Sequence, residues 1–160
     1  SCDKYKFIPS NAPLIPLTNY ASSKVAAFHL LKNYSLYSKM EFCYLRLFHI
    51  YGEGQYKENF WSQLKNASLN GDNFKINNPD IIRDFLKVDK AAKKIIDKAF
   101  NEPTQPGSPI VENIASGIPI TLREFAKKEW EELGSKGNLI FSEVDLDHVA
   151  QQRIVAEINT

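Results

Sequence analysis

The sequence predicts an α/β fold built around a parallel β-sheet, and two observations support this. Segments with helical and strand-like patterns alternate along all 160 residues, which is the order found in α/β domains. Residues 42–50 form a short apolar run rich in aromatic side chains and are followed by Tyr51-Gly52, as in strands buried on both faces of a parallel sheet. Ligands bind such sheets at the carboxyl ends of the strands, so we expect a ligand site near Tyr51.

Before that strand, the sequence predicts a loop and a helix. Residues 1–18 form an irregular loop, because Pro9, Pro13 and Pro16 lack the N–H that a sheet ladder needs. The helix then runs to about residue 38, with Thr18 or Asn19 as its N-cap. Its apolar residues recur at spacings of three and four, and we expect them to face the core: Val25, Ala26, Phe28, Leu30, Leu31, Tyr34 and Leu36.

After the strand, a second helix is predicted over residues 57–70, because apolar side chains recur through it and Asn70-Gly71 ends it. Two small strands follow at residues 74–76 and 81–82. The sequence Asn-Asn-Pro-Asp at 77–80 separates them, and its residue types favour a turn.

The last third of the chain continues the alternation. A third helix is predicted over residues 88–100, and a strand over 110–115. Thr121 and Glu124 have the spacing of a capping box and begin a fourth helix, and a last strand covers 139–141. The residues of the third helix expected to face inward are Ala91, Ala92, Ile95, Ile96 and Ala99.

Composition and charge exclude several classes of function. The formal net charge of +1 provides no long-range field to attract nucleic acid or an anionic membrane. No run approaches the ~18 apolar residues of a membrane span, and the first residues lack the apolar stretch of a signal peptide. Cys2 and Cys43 have no metal-ligand or redox spacing. These observations predict a cytoplasmic protein that binds no metal, nucleic acid or membrane.

Tyr20 and Lys24 are the first candidates for chemistry. Side chains four residues apart on a helix lie on the same face, one turn from each other. An ammonium near a phenol favours the phenolate, so such a pair can transfer a proton. The alternative is that the two residues belong to a solvated helix face.

Four segments of the chain, in their order and separations, resemble the extended short-chain dehydrogenase/reductase family of nucleotide-sugar epimerases, dehydratases and reductases. The corresponding sequence motifs of that family are P-x-x-x-Y-x-x-x-K, L-R-L-F-N-V-Y-G-P-G, R-D-F-I-H-V-D-D and N-I-G-S-G-x-x-x-S. The segments here are PLIPLTNYASSK (13–24), LRLFHIYGEGQ (45–55), RDFLKVD (83–89) and NIASGIPIT (113–121).

The resemblance implies an NAD or NADP cofactor, with Tyr20 as the acid/base residue. Lys24 would support Tyr20 and hold the nicotinamide ribose, so that both residues also contact the cofactor. Ser1 stands four residues before Tyr5, where the family's S-S-x-x-V-Y-G segment keeps a catalytic Ser or Thr; Ser22 and Ser23 are alternatives. The family's glycine-rich turn for the cofactor pyrophosphate is absent from the seven glycines, which implies a C-terminal fragment.

Three further residues are implied as substrate ligands. Arg83 would bind the nucleotide-sugar diphosphate through its guanidinium fork, unless it only pairs with Asp84 on a surface turn. His49 replaces the usual Asn and would bond a sugar hydroxyl or phosphate, or else lie satisfied in the core. Asn59 stands where a family Asn approaches the diphosphate.

The combined prediction is the second half of a doubly wound, Rossmann-like parallel sheet with a small α+β substrate-binding subdomain. Residues 1–54 and 84–115 would belong to the dinucleotide-binding domain, and 55–83 and 116–160 to the subdomain. Dehydratases of the family have an Asp-Glu pair where this chain has Cys2-Asp3, which favours reduction of a nucleoside-diphosphate 4-keto-6-deoxysugar. The alternatives are a 4-epimerase or a non-catalytic nucleotide-sugar-binding module. The full-length enzyme is expected to be able to form a homodimer.

Overall fold

The computed structural model describes residues 5–101, 104–143 and 151–158. Helices and strands alternate through these residues, as the sequence predicts. The helices are α1 (Asn19–Ser38), α2 (Phe60–Asn70), α3 (Val88–Asn101) and α4 (Leu122–Glu132). The strands are β1 (Cys43–Leu47), β2 (His49–Tyr51), β3 (Phe74–Asn77), β4 (Ile82–Arg83), β5 (Phe85–Lys87), β6 (Ile110–Ile114), β7 (Ile120–Thr121), β8 (Leu139–Ser142) and β9 (Arg153–Ile154).

Most of the strand pairs are parallel, which confirms the α/β class. Strand β1 pairs with β6, β2 with β5, and β3 with β8, each in parallel. Strand β4 lies between β7 and β9, antiparallel to the first and parallel to the second. Parallel neighbours require crossover connections, and the chain that connects β1 to its partner β6 includes helices α2 and α3.

The strand expected at residues 42–50 is divided in the structure. It breaks at Phe48, whose N–H donates to the carbonyl of Ile114 over 3.2 Å. Before the break the chain pairs with β6, and after it with β5. Strands β4 and β5 are likewise separated by one residue, Asp84. Each break is therefore a point where the chain changes its sheet partner.

Two clusters of buried apolar residues lie in the described part of the chain. One contains Leu64, Ile76, Ala126 and Trp130 and joins α2, β3 and α4. The other contains Leu86, Ala91 and Ile114 and joins β5, α3 and β6. The first falls within the segments assigned to the substrate subdomain and the second within those assigned to the cofactor domain. The domain division itself stays a prediction.

Helix α1 has the predicted bounds but not the predicted buried face. Thr18 Oγ1 accepts the N–H of Ala21 over 3.1 Å, as an N-cap does. Of the apolar residues expected to face the core, Phe28 is buried, whereas Leu30 and Tyr34 are 72% and 59% exposed. In α3, Ala91 is buried but Ala92, Ile96 and Ala99 are exposed. The expectation was wrong because helical periodicity identifies an apolar face without showing what covers it.

The boundaries of several other elements differ by a few residues from those predicted from the sequence. Helix α2 begins at Phe60 rather than at residue 57, since Asn59 still has extended backbone angles. The expected strand at residues 81–82 lies at Ile82–Arg83. Strands β5, β7 and β9 have no counterpart among the predicted strands. The capping box of Thr121 and Glu124 is present, with both reciprocal hydrogen bonds.

Candidate functional site

Tyr20 and Lys24 lie on the exposed face of the first turns of α1. Lys24 Nζ is 5.2 Å from the centroid of the Tyr20 ring, a cation–π distance. The Tyr20 side chain is 73% exposed. Among the described residues, none forms a hydrogen bond with its hydroxyl group. The pair is therefore adjacent, and the hydroxyl is accessible to a ligand.

Asp84 has a role that the sequence did not indicate. Its carboxylate is completely buried and accepts the N–H and the hydroxyl of Ser116 through Oδ1 over 2.7 and 2.6 Å. Oδ2 accepts the N–H groups of Gly117 and Ala156 over 2.9 and 3.2 Å. The carboxylate thus holds the loop after β6 and the last described segment against the β4–β5 break.

Arg83 lies beside this anchor and is also buried, at 9% exposure. Its Nη1 donates to the carbonyls of Ile82 and Gln152 over 2.8 and 3.4 Å. Burial lowers the pKa of the guanidinium from its usual value. Asp84 is engaged by backbone N–H groups, so a surface ion pair between Arg83 and Asp84 does not describe this site.

His49 begins β2, in register with Phe85 on β5. Its ring meets the Phe85 ring edge to face, with centroids 5.7 Å apart. Burial first, and then the charge of Arg83, lower the pKa of His49 to about 4. The imidazole is therefore neutral near pH 7, and its Nδ1 is buried without a hydrogen-bond partner among the described residues. The alternative requires a core histidine whose hydrogen bonds are all satisfied, and the unpartnered Nδ1 does not fit it. A neutral imidazole with a free nitrogen fits the binding of a hydroxyl group better.

Asn59 is the N-cap residue of α2, but its side chain makes no capping hydrogen bond. The residue is exposed. Its carboxamide is consequently available at a helix N-terminus, where the free backbone N–H groups favour anions.

These positions form separate groups. His49 and Arg83 are close enough to influence each other electrostatically, and Tyr20 contacts Lys24. Within the described ranges, no hydrogen bond, ion pair or ring contact joins one group to the other or to Asn59. Ser1 lies outside the described residues. A cavity of about 530 Å³ lies between α3, β6 and the loop near Pro9, and none of these candidates lines it.

A buried glutamate is the second feature that the sequence analysis missed. Glu129 on α4 is 4% exposed and accepts Tyr51 Oη–H and Trp61 Nε1–H over 3.2 and 2.8 Å. Burial, together with the charge of Glu129, raises the pKa of Tyr51 well above its usual value. The available signal was helical spacing, since Glu129 falls on the same face as the apolar Phe125 and Ala126.

The family comparison agrees with these motifs. Residues 5–115 match the model of the NAD dependent epimerase/dehydratase family, and the chain belongs to this family. None of the curated proteins compared matches the chain.

Several solved structures have a fold similar to that of this chain. One is MoeE5 in complex with UDP-glucuronic acid and NAD, at 22% identity and a TM-score of 0.77, with 95% of this chain and 50% of that chain covered. Another is dTDP-glucose 4,6-dehydratase from Bacillus anthracis in complex with NAD, at 21% identity and a TM-score of 0.78. The match covers 97% of this chain and 48% of that chain. A third is UDP-glucose 4-epimerase from Thermotoga maritima with UDP-glucose, at 16% identity and a TM-score of 0.80. The match covers 96% of this chain and 50% of that chain. The chain thus spans about half the length of these structures, whose similarity confirms the Rossmann-like fold.

The described residues lack the features of two other kinds of site, a membrane span and a metal centre. No helix there is long and apolar enough to cross a membrane. No group of three or more His, Cys, Asp and Glu side chains in that part of the chain has the arrangement of a metal site.

Proposed function

We propose that this chain forms the catalytic and substrate-side half of an NAD(P)-dependent nucleotide-sugar oxidoreductase or epimerase. Its proposed substrate is a nucleoside-diphosphate 4-keto-6-deoxysugar. The observation that carries the proposal is the contact between Tyr20 and Lys24 on an exposed helix face, in a chain of the epimerase/dehydratase family. The NAD and nucleotide sugars held by the similar solved structures support the same ligand classes here.

The exposed face of α1 fits the nicotinamide end of such a cofactor. Lys24 would donate to the ribose hydroxyls, and Tyr20 would lie beside the reacting sugar carbon. Bound nicotinamide would supply or accept the hydride. The seven glycines include no glycine-rich turn for the pyrophosphate, so that contact must come from residues outside this sequence.

Proton transfer would be the task of Tyr20. Its hydroxyl would give a proton to the carbonyl oxygen of the sugar in reduction and take it back in oxidation. The Lys24 ammonium, one turn away, would stabilise the phenolate left behind. Ser1 would donate a hydrogen bond to the same sugar oxygen.

The substrate would be held by Arg83, His49 and Asn59. Arg83 would bind the diphosphate, with its Nη1 already fixed by two carbonyl groups and the rest of the fork directed to the ligand. Neutral His49 would use its unsatisfied Nδ1 for a sugar hydroxyl. Asn59 would contribute its uncapped carboxamide.

Two alternatives remain as competing hypotheses. A 4-epimerase regenerates its cofactor, whereas a keto-sugar reductase consumes one NAD(P)H per product, so cofactor absorbance separates the two reactions. A non-catalytic module would bind the nucleotide sugar and change neither it nor the cofactor.

The test is Tyr20→Phe in the full-length enzyme. Turnover should fall by about 10²–10⁴-fold, the range for loss of an acid/base group, while nucleotide-sugar affinity stays close to that of the wild type. Tyr37→Phe is the matched control, since Tyr37 is another exposed tyrosine of α1. Equal turnover in the Tyr20 and Tyr37 variants would reject Tyr20 as the acid/base residue.

A further inference from the structure

The buried Glu129 borders a cavity that the proposed chemistry does not use. The cavity has a volume of about 210 Å³ and lies where α2 and α4 meet the loop after β2. Tyr51, Trp61 and Glu129 are among the residues that line it. Its volume is below the range of about 300–1,000 Å³ of pockets for drug-sized ligands, so any ligand would be small.

The carboxylate of Glu129 has neutral donors only. Tyr51 and Trp61 donate one hydrogen bond to each oxygen. None of the described basic side chains forms an ion pair with it. The lysines nearby already have acidic partners, because Lys65 pairs with Glu53 and Lys87 pairs with Glu132. A buried carboxylate ordinarily has a cationic partner, and here no side chain among the described residues supplies one.

The surroundings of the cavity offer acceptors and negative charge. Three carboxylates line it, those of Glu53, Asp89 and Glu129, against one ammonium, that of Lys87. An adjoining cavity of about 150 Å³ shares Tyr51 and Glu53 with it. That second cavity is also lined by Gln55, whose Oε1 is buried without a partner among the described residues. The lining of the first cavity therefore has more carboxylates than ammonium groups, and the second cavity adds an acceptor with no partner among the described residues.

The aromatic walls also suit a cation. The rings of Tyr51 and Trp61 lie with their centroids 6.0 Å apart at 55°. Lys65 Nζ already sits 5.4 Å from the centroid of the Trp61 ring, which shows that this indole accepts an ammonium on one face. Aromatic faces beside a carboxylate attract organic cations by the ring quadrupole and by direct charge.

We propose that this cavity is a binding site for a small primary alkylammonium group, with Glu129 as its anchor. The carboxylate, held in place by Tyr51 and Trp61, accepts an N–H of the ammonium, while the aromatic rings contact its alkyl part. A primary ammonium fits better than a quaternary one, because the site offers acceptors that only N–H groups satisfy. The site is independent of the nucleotide-sugar chemistry proposed for Tyr20.

The experiment is a titration of the full-length protein with methylammonium chloride at constant ionic strength. Nitrogen-15 labelling of tryptophan makes the Trp61 indole N–H visible by NMR, and Trp61→Phe assigns its signal. This N–H donates to Glu129, so its resonance should shift and saturate as the site fills. The Trp130 indole donates to the carbonyl of Gly137 instead and should remain unchanged as an internal reference.

A matched ligand tests the chemistry without changing the protein. Tetramethylammonium carries the same charge but has no N–H, and it should bind at least about tenfold more weakly, as expected for loss of a charged hydrogen bond. Equal affinity for the two ions would overturn the primary-ammonium assignment.

A pair of variants tests the anchor. Glu129→Gln should abolish the saturable shift, whereas Glu131→Gln should preserve it, because Glu131 is an exposed glutamate of the same helix. An unchanged Trp130 signal would show that the Glu129 variant is folded. No saturable shift in the wild-type protein, or unchanged affinity in a folded Glu129→Gln variant, would overturn the proposal; if that variant does not fold, the two-ion comparison decides.

Discussion

Asp84 shows how one side chain can fix the geometry around a candidate site. Three backbone N–H groups and one hydroxyl converge on its buried carboxylate. Ionised acceptors make hydrogen bonds roughly twice as strong as neutral ones. Arg83 and Phe85 flank Asp84 in the chain, so the same contacts also fix the backbone that presents Arg83 and the neighbour of His49.

Asp84→Asn should therefore destabilise the protein strongly. The amide of asparagine has one acceptor oxygen, and its NH₂ group would face backbone N–H groups, which cannot accept a hydrogen bond and would be left unpaired. We expect a loss of about 3 kcal/mol or more in the free energy of unfolding, measured by denaturant titration. Asp80→Asn is the control: Asp80 pairs with Arg123 at the surface, and its change should be much smaller. Similar losses in both variants would contradict the anchoring role.

His49 gives the protein a specific dependence on pH. Its pKa is about 4 in the folded chain against 6.5 in the unfolded one, so the unfolded state binds the proton first. The contribution of His49 to stability should be complete above pH 6.5 and should decline as the pH falls from 6.5 to 4. The loss should level off below pH 4, at about 3 kcal/mol.

His49→Gln should remove this contribution to the pH dependence, which denaturant titrations at pH 7 and pH 5 would measure. His29→Gln is the control, since His29 is exposed on α1 and should leave the dependence unchanged. If the stability of the wild type and of His49→Gln changes equally between the two pH values, His49 is not held neutral by burial.

At the scale of elements, helix α4 depends on its capping box. Thr121 Oγ1 accepts the N–H of Glu124 over 3.1 Å, and Glu124 accepts the N–H of Thr121 over 2.9 Å. Thr121→Ala should cost about 1 kcal/mol of stability, typical for loss of an N-cap, whereas Thr121→Ser keeps the oxygen and should cost much less. Thermal unfolding of the two variants would measure the difference, and equal melting temperatures would show that the cap contributes little.

Local signals predicted the elements well where the interactions are local. Thr18 and Thr121 mark helix starts because their oxygens bond N–H groups within the same turn. The breaks at Phe48 and Asp84 were not predictable in this way, since each arises where the chain exchanges one sheet neighbour for another. The buried Glu129 was missed for a related reason: its donors, Tyr51 and Trp61, belong to distant parts of the sequence.

The candidate site was predicted to a smaller extent. Motifs identified Tyr20 and Lys24, and the structure places them in contact. The sequence did not show that Arg83 is buried or that His49 is neutral, because both properties come from the packing around β2 and β4. The roles of these residues therefore stay predictions.

At the scale of the whole molecule, the chain carries two apolar cores and several exposed apolar faces. Leu47 on β1 is 54% exposed, and Leu30 on α1 is 72% exposed. The similar solved structures are about twice as long. We infer that these apolar faces of β1 and α1 are available to pack against further polypeptide.

The absence of a glycine-rich turn from these 160 residues leads to a prediction about cofactor binding. Hydride transfer requires the nicotinamide to be held close to the sugar carbon. Most of the cofactor's binding energy comes from backbone N–H groups around the pyrophosphate. Lys24 retains only a ribose contact, so the 160-residue chain should bind NAD(P) far more weakly than the full-length enzyme does. It should still bind the nucleotide sugar through Arg83.

Fluorescence titration of both proteins with NADH would measure the difference in cofactor affinity. Calorimetry with a nucleoside diphosphate would measure binding of the second ligand, with Arg83→Ala as its control. Micromolar affinity of the 160-residue chain for NADH would show that the cofactor is held by residues other than those assigned here.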